Sequence, residues 1–380
     1  MKILYVTTVS NTVNAFLIPQ IRLLVDRGHQ VDVAFSIVHE VDPEIAKLGC
    51  KVHNVEFQRS PLRKENYVAY NKIKKIITDG RYDIVHVHTP VASFVTRLAC
   101  RNIHNLTVIY TVHGFHFFKG APTKNWLLYY PLEKLAAKWT DVVITMNEED
   151  YISASKMKCR RLNSVYRVNG VGVNLEKFSP VNSVVKKKLR EESGFNNEDF
   201  ILFYAAELNY NKHQDLLIKT INLLKNKIPN IKLLLAGDGN LQEEYEKQAK
   251  NLGLSERIHF LGYREDVSNL LKISDVAVAS SRREGLPVNV IEAMATGLPL
   301  IVTDCRGQRD LVSDGENGYV VGIDDAESFV TAIIKLYHSK DTRLKFSQKN
   351  IELSKKYSIS RVMKEMENIF EGYLNKQEES

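Results

Sequence analysis

Cysteine is scarce and scattered. Cys50, Cys100, Cys159 and Cys305 are the four, and no two stand as a C-x-x-C pair. That excludes a disulfide framework and a zinc-ribbon site, and it suits reduced, buried thiols in a cytosolic protein. No apolar run approaches the roughly 18 residues of a membrane-spanning helix. The opening MKILYVTTVS is too short and too strand-like for a secretory signal peptide. No G-x-G-x-x-G fingerprint follows Ile3–Thr8 or Leu233–Ala236, so the usual dinucleotide turn is missing. There is no basic-aromatic RNA motif and no helix-turn-helix signal, so nucleic acid is not an expected partner.

What is present describes a globular chain. Its 380 residues are too many for one ordinary core and suit two domains. A hydrophobic content of 44% with 26% charged residues is that of a soluble protein. The net charge of +7 fits an anionic ligand or an anionic membrane surface.

Short β-branched runs alternate with amphipathic segments. In the first half, strands are expected at Ile3–Thr8, Val31–Phe35, Val52–Phe57, Asp83–His88, Val108–Val112 and Asp141–Met146. Helices are expected at Ala15–Asp26, Tyr67–Thr78, Ala92–Arg101, Trp126–Trp139 and Glu148–Lys156. In the second half, strands fall at Leu202–Ala205, Lys232–Ala236, Ile258–Leu261, Asp275–Ala279 and Leu300–Thr303. Helices Leu216–Asn226, Gln242–Leu252, Val267–Lys272 and one opening at Pro287 lie between them. The alternation implies α/β architecture with parallel, doubly wound sheets covered on both faces. The pattern changes at Asn169–Pro180, NGVGVNLEKFSP, and the domain boundary is set there. A final amphipathic helix, about Ser360–Leu374, carries Val362, Met366, Ile369, Phe370 and Tyr373 on one face, and the terminal NKQEES is expected to fray.

The densest segment is Arg282–Pro299, RREGLPVNVIEAMATGLP. Glu284 and Glu292 stand with seven residues between them. Proline suits the first turn of a helix, and Gly297 with Pro299 form a stop signal. The segment therefore reads as a loop bearing Glu284, then a short helix from about Pro287 to Thr296 bearing Glu292. Its amino end, at Gly285, Leu286, Pro287 and Val288, offers free N–H groups to an anion. By spacing alone, a surface helix with two solvated acids fits as well.

EGLPVNVIEAMATGLPLIVTD resembles the E-x7-E motif of family 4 retaining glycosyltransferases, and the resemblance extends over nearly the whole chain. It implies the GT-B fold: two facing Rossmann-like domains with an interdomain cleft. Residues 1–168 would be the acceptor side, with the final helix (358–376) packing back on them, and 169–357 would bind the nucleotide-sugar. In this likeness Glu292 holds the ribose, and Glu284 with the Leu286–Val288 amides positions the sugar. Lys212, in AAELNYNKHQDLLI with Asn209, neutralises the diphosphate. The family usually has an arginine where Glu207 stands, and Arg282, Arg283 or Arg306 could compensate. Gly237, Asp238 and Gly239 match the turn beneath the nucleotide, where small residues let a ligand approach the backbone. Gly262 and Tyr263 match the base-reading loop, with Arg264 stacking on the base and Asp266 capping the next helix. His113, at the end of a strand, would contact the donor sugar, while His86 and His88 receive no chemistry.

On the acceptor side, Asn11 and Phe16 fall in an expected loop, Thr8–Phe16, beside Phe115 and Lys119 in the His113 loop. Phe115, Phe117, Phe118, Trp126, Tyr129, Tyr130 and Trp139 interleave with Lys119, Lys124, Lys134 and Lys138. Such a mixture suits a membrane interface, with Arg59, Arg63 and Lys64 extending it. The expected reaction is metal-independent, retaining transfer from a nucleotide-sugar, with UDP as the first expectation. The acceptor would be a polyprenyl-diphosphate-linked saccharide of a capsule, exopolysaccharide or O-antigen, met at the inner face of the plasma membrane. No D-x-D triplet occurs, so neither a metal nor an organic cofactor is expected. The rivals are a nucleotide-sugar 2-epimerase of similar fold and a non-catalytic nucleotide-sugar-binding subunit.

Overall fold

The computed structural model describes residues 1–58, 60 and 63–374. Arg59 and the terminal Asn375–Ser380 lie outside these. The chain forms two compact units, Met1–Gly172 with Ile359–Ser380, and Val173–Ser358.

The first unit is built on seven parallel strands: β1 (Lys2–Val9), β2 (Gln30–Ser36), β3 (Val52–Asn54), β4 (Ile84–His88), β5 (Thr107–Val112), β6 (Val142–Thr145) and β7 (Val165–Arg167). Their spatial order is β3-β2-β1-β4-β5-β6-β7. Strand β4, IVHVH, is buried throughout, as expected of a central parallel strand covered on both faces. The helix Pro90–Cys100 opens with proline at its first turn, and Asn147 caps the helix Glu148–Ser155 by accepting from the Asp150 N–H at 2.9 Å. The helix Ile359–Leu374 belongs to this unit. It packs on the helix Ile18–Asp26, sets Phe370 edge-on to His86 with ring centroids 5.7 Å apart, and accepts through Glu365 from the Asn169 side chain at 2.6 Å.

One buried ion pair ties the helix Thr123–Ala137 to the rest. Arg97, 1% exposed, donates to Glu133 at 2.7 Å, lies over the Tyr110 ring at 4.1 Å, and shares Glu133 with the Tyr110 hydroxyl.

The second unit holds β8 (Phe200–Ala205), β9 (Ile231–Ala236), β10 (Ile258–Phe260), β11 (Val276–Ala279), β12 (Leu300–Thr303) and β13 (Gly318–Val321), ordered β10-β9-β8-β11-β12-β13. Both sheets reverse direction of growth once, between β1 and β4 and between β8 and β11. In open α/β sheets that reversal leaves a crevice at the strand carboxyl ends where ligands bind.

Several expectations change. The supposed loop Thr8–Phe16 is helical from Ser10 and passes through a π-helical stretch at Val13–Leu17, so Asn11 and Phe16 sit on helix. Asn14 ties that stretch to the next loop by donating to the Glu40 carbonyl at 2.9 Å. Cys159 is only half-buried, whereas Cys50, Cys100 and Cys305 are buried. Helices Pro43–Lys47, Ser183–Glu192, Ala326–His338 and Lys340–Ser354, and strands β7 and β13, carry no expectation from the sequence. The two strands are too short to display a period, and the apolar residues of Lys340–Ser354 do not gather on one face. No described helix is long and apolar enough to cross a membrane.

Candidate active site

In the second unit, three loops meet at the carboxyl ends of β8, β9 and β10. The loop after β8 runs against the turn after β9: the Ala206 N–H donates to the Ala236 carbonyl, and the Leu208 N–H to the Asp238 carbonyl, both at 2.9 Å. A methyl on Gly237 would lie 2.2 Å from the Ala206 carbonyl oxygen, and one on Gly239 would lie 2.1 Å from that of Leu208. These glycines therefore admit a neighbouring stretch of the chain's own backbone. Asp238 turns outward and accepts from the Tyr263 N–H at 2.9 Å, fixing the Gly262 turn at φ +62°. Tyr263 is left 75% exposed.

Arg264 is paired with a carboxylate. Its guanidinium grips Asp266 with two bonds of 2.7 and 2.6 Å. That bond raises the arginine and lowers the aspartate from their ordinary values. Asp266 does stand at the amino cap of the helix Val267–Ile273, but its side chain makes no capping bond.

At the reversal between β8 and β11 the sequence-distant residues Lys212 and Glu284 meet. Lys212 Nζ donates to Glu284 Oε1 at 2.6 Å, and the same oxygen accepts from Ser281 Oγ at 2.6 Å. The two loops are laced together along their length. Ser280 Oγ donates to the Lys212 carbonyl, Asn211 Nδ2 to the Arg283 carbonyl, and the Arg282 N–H to the Asn211 carbonyl, at 2.8, 3.0 and 2.8 Å. Asn209 turns the first loop by accepting from the Lys212 N–H at 3.0 Å. Glu207 is exposed, with its carbonyl held by Gln214.

Of the arginines that could compensate, Arg282 is bound to Asp324 at 2.7 Å and to His213 at 2.9 Å, and lies over Tyr210. Arg306 donates to the Glu284 carbonyl at 2.9 Å. Behind Gly285 the chain is closed by Gly307, where a methyl would lie 2.3 Å from the Gly285 carbonyl oxygen.

The expected helix spans Val288–Ala295, with Pro287 as its amino cap and not its first helical residue. Proline's extended ψ of 114° places it there, and its carbonyl accepts from the Ile291 N–H at 3.3 Å. Leu286 and Val288 pack on the core of this unit, and Asn289 Nδ2 donates to the Ala205 carbonyl at the end of β8 at 2.8 Å. The helix therefore starts beside the reversal. Glu292 lies one turn further in, and its carboxylate has no hydrogen-bond partner among the described residues. Burial pushes it from 4.5 up to about 7, against the opposing pull of Lys177.

The first unit carries a histidine cluster. Parallel pairing sets His88 beside Thr111, so His86 and His88 on β4 and Thr111 and His113 on and after β5 share one face. His88 Nδ1 and His113 Nε2 are 3.0 Å apart, and His86 Nε2 is 2.7 Å from Thr111 Oγ1. Tyr5 stacks on His88 with centroids 5.6 Å apart. Burial lowers His113 to about 4 and His86 to about 3, and His88 well below the ordinary value. All three rings are therefore neutral near pH 7. At the β1–β4 reversal, Thr8 Oγ1 and Thr89 Oγ1 lie 2.7 Å apart, and Thr89 adopts φ +61°. That value is uncommon for a β-branched residue and marks local strain.

Phe115 and Phe117 are buried in the core, which corrects their assignment to a surface face. Lys119, Lys124, Lys134 and Lys138 are exposed. Ser281, Asn289, Thr89 and His88 were not among the expected site residues. For His88 a signal exists: histidines two apart on one strand, facing a threonine and a histidine two apart on the next.

Comparison with known proteins agrees with this fold. Residues 185–353 match the model described as glycosyl transferases group 1, and residues 2–147 that described as glycosyl transferase 4-like. A Bacillus subtilis (strain 168) protein named "Putative glycosyltransferase EpsD" is 42% identical over 98% of this chain and 97% of its own length. The UDP-Gal:alpha-D-GlcNAc-diphosphoundecaprenol alpha-1,3-galactosyltransferase of Escherichia coli is 32% identical over 70% of this chain and 69% of its own. The crystal structure of Anabaena Alr3699/HepE in complex with UDP and glucose superposes with a TM-score of 0.79 at 19% identity, covering 98% of this chain and 100% of that one. With two six- and seven-stranded parallel sheets, the Lys212–Glu284 contact at a strand reversal and these matches, the chain belongs to the glycosyltransferases of GT-B fold.

Proposed function

We propose that the protein transfers a sugar, with retention of configuration, from a UDP-sugar to a polyprenyl-diphosphate-linked saccharide during assembly of an exported polysaccharide. One observation carries this reading: the Lys212–Glu284 pair at the β8–β11 reversal, on the loop that leads into the helix Val288–Ala295 bearing the partnerless carboxylate of Glu292. The names of the Escherichia coli galactosyltransferase and of the UDP-bound Anabaena structure support the donor and acceptor classes.

In this reading Glu292 accepts hydrogen bonds from the ribose diol. The departing diphosphate draws Lys212 away from Glu284 and meets the N–H groups at the start of the helix Val288–Ala295. Both offset the charge that grows as the glycosidic bond breaks. Glu284, released from Lys212 but still held by Ser281, accepts from the sugar hydroxyls. Gly262 and Tyr263 face the base, and His113 contacts the sugar. The acceptor hydroxyl attacks on the face the diphosphate leaves and passes its proton to that phosphate, so no protein nucleophile and no metal enters the scheme. Asn11, Phe16 and Lys119 are proposed on the acceptor side.

We also place the protein on the inner face of the plasma membrane. The helix Thr123–Ala137 presents Trp126, Leu127 (74% exposed) and Leu128 beside exposed lysines, a combination that suits anionic lipid.

The test is thermal melting of the purified protein with UDP-, GDP- and ADP-sugars, followed by transfer to a lipid-diphosphate saccharide. A donor at about 100 times its Kd raises apparent stability by about 2.7 kcal/mol. Lys212→Ala is expected to lose that shift and the transfer together. Absence of a shift with every donor would sink the reading. Conversion of the donor sugar without acceptor would identify an epimerase instead.

A further inference from the structure

We infer that His88 is a positioning residue: it fixes the tautomer of His113 by donating from Nδ1 to His113 Nε2, so that His113 presents Nδ1–H as a donor. The two nitrogens are 3.0 Å apart. Both rings are neutral near pH 7, so one proton lies between them and one ring must be its donor.

The surroundings choose between the two arrangements. His88 Nε2 is buried and has no hydrogen-bond partner. If His113 donated, His88 would have to carry its own proton on that nitrogen, leaving an N–H buried and unpaired. If His88 donates, the orphaned atom is a lone pair. Buried donors without partners are rarer than acceptors in the same state, and an unpaired buried donor costs its full desolvation. His113 then holds its proton on Nδ1, which makes no hydrogen bond among the described residues.

The ring of His88 cannot turn away from this duty. Tyr5 stacks against it with ring planes 20° apart, and His86, 4.2 Å away, is held by Thr111. Phe370, from the helix Ile359–Leu374, closes the cluster against His86. The final helix therefore helps to set the side chain that His113 presents. The consequence for transfer rests on the proposed function: a Nδ1–H donor matches the oxygen of a sugar hydroxyl, and the other tautomer would offer a lone pair there.

The experiment uses the full chain labelled with nitrogen-15 in histidine. In the ligand-free wild type, His113 is expected to be protonated at Nδ1 and bare at Nε2. His88→Phe keeps a ring against Tyr5 but removes the donor; His113 should then shift towards the other tautomer, and kcat should fall about tenfold with the donor KM little changed. His88→Asn, whose amide nitrogen stands near the place of Nδ1, should restore both. A wild-type spectrum with His113 protonated at Nε2 overturns the inference. So does a His88→Phe protein that retains the wild-type tautomer. If His88→Phe does not fold, the wild-type and His88→Asn spectra still decide. Because the tautomer is read without substrate, a correct tautomer with no sugar transfer would count against the proposed function and leave this inference standing.

Discussion

Glu292 offers the most quantitative test. Its carboxyl, raised to about 7, should be about 10% ionised near pH 6 and about 90% ionised near pH 8. If the ionised form is the one that accepts the ribose hydroxyls, donor affinity scales with that fraction and should rise about tenfold across the window. His113, titrating at about 4, stays neutral throughout and adds no slope. Binding should also release close to one proton below pH 7, readable by calorimetry in buffers of different ionisation enthalpy. Glu292→Gln should flatten the pH profile and weaken binding near pH 8 by at least about tenfold, since a hydrogen bond to a charged group contributes about 1.5–3 kcal/mol.

Folding stability should move the other way. The folded pKa lies above the unfolded one, so this contribution is fully present below about 4.5 and is lost as pH rises through about 7. The loss is at most about 3.4 kcal/mol, the gap between 4.5 and about 7 taken at about 1.36 kcal/mol per pH unit. Ligand-free Glu292→Gln should therefore be more stable than the wild type near pH 8 and equal to it near pH 4. A donor affinity that stays flat between pH 6 and pH 8, or a glutamine variant that binds as tightly at pH 8, would refute the reasoning.

Other perturbations have equally definite outcomes. Arg97→Met strands Glu133 in the core and should cost about 3–5 kcal/mol in urea unfolding, most of it recovered in Arg97→Met with Glu133→Leu. Gly307→Ala forces a methyl to within 2.3 Å of the Gly285 carbonyl oxygen at φ +80°. It should lower donor affinity by displacing the loop that bears Glu284, and a change below twofold would contradict that role. Leu127→Ser together with neutralisation of Lys119, Lys124, Lys134 and Lys138 should abolish binding to anionic liposomes while leaving the melting temperature within a few degrees; persistent binding would remove the membrane assignment.

Much of the proposed donor side can be read along the chain because its parts are local. Glu284, the proline-led helix and Glu292 lie within one short segment, and Lys212 stands in a loop between a strand and a helix. Their meeting is not local: Lys212 and Glu284 are 72 residues apart, and only the strand order β9-β8-β11 brings their loops together. The same holds for Gly237 and Gly239. Their smallness is visible in the sequence, but the Ala206–Leu208 backbone that requires it is not. Arg264 and Asp266 are adjacent enough to invite two readings, capping and pairing, and side-chain geometry decides for pairing. Phe115 and Phe117 look like surface aromatics because lysines follow them. Ring contacts with Trp126 and Tyr130 account for the burial of Phe117.

The last helix has a bearing on how the chain is made. Phe370 seals the histidine cluster and Tyr373 meets Tyr166 across 207 positions of sequence. A ribosome must therefore finish all of Val173–Ser358 before the first unit can receive its closing piece. The first lobe to emerge is the last to be completed, and a nascent chain halted at Ser358 should yield to protease across residues 1–172 while the later lobe resists.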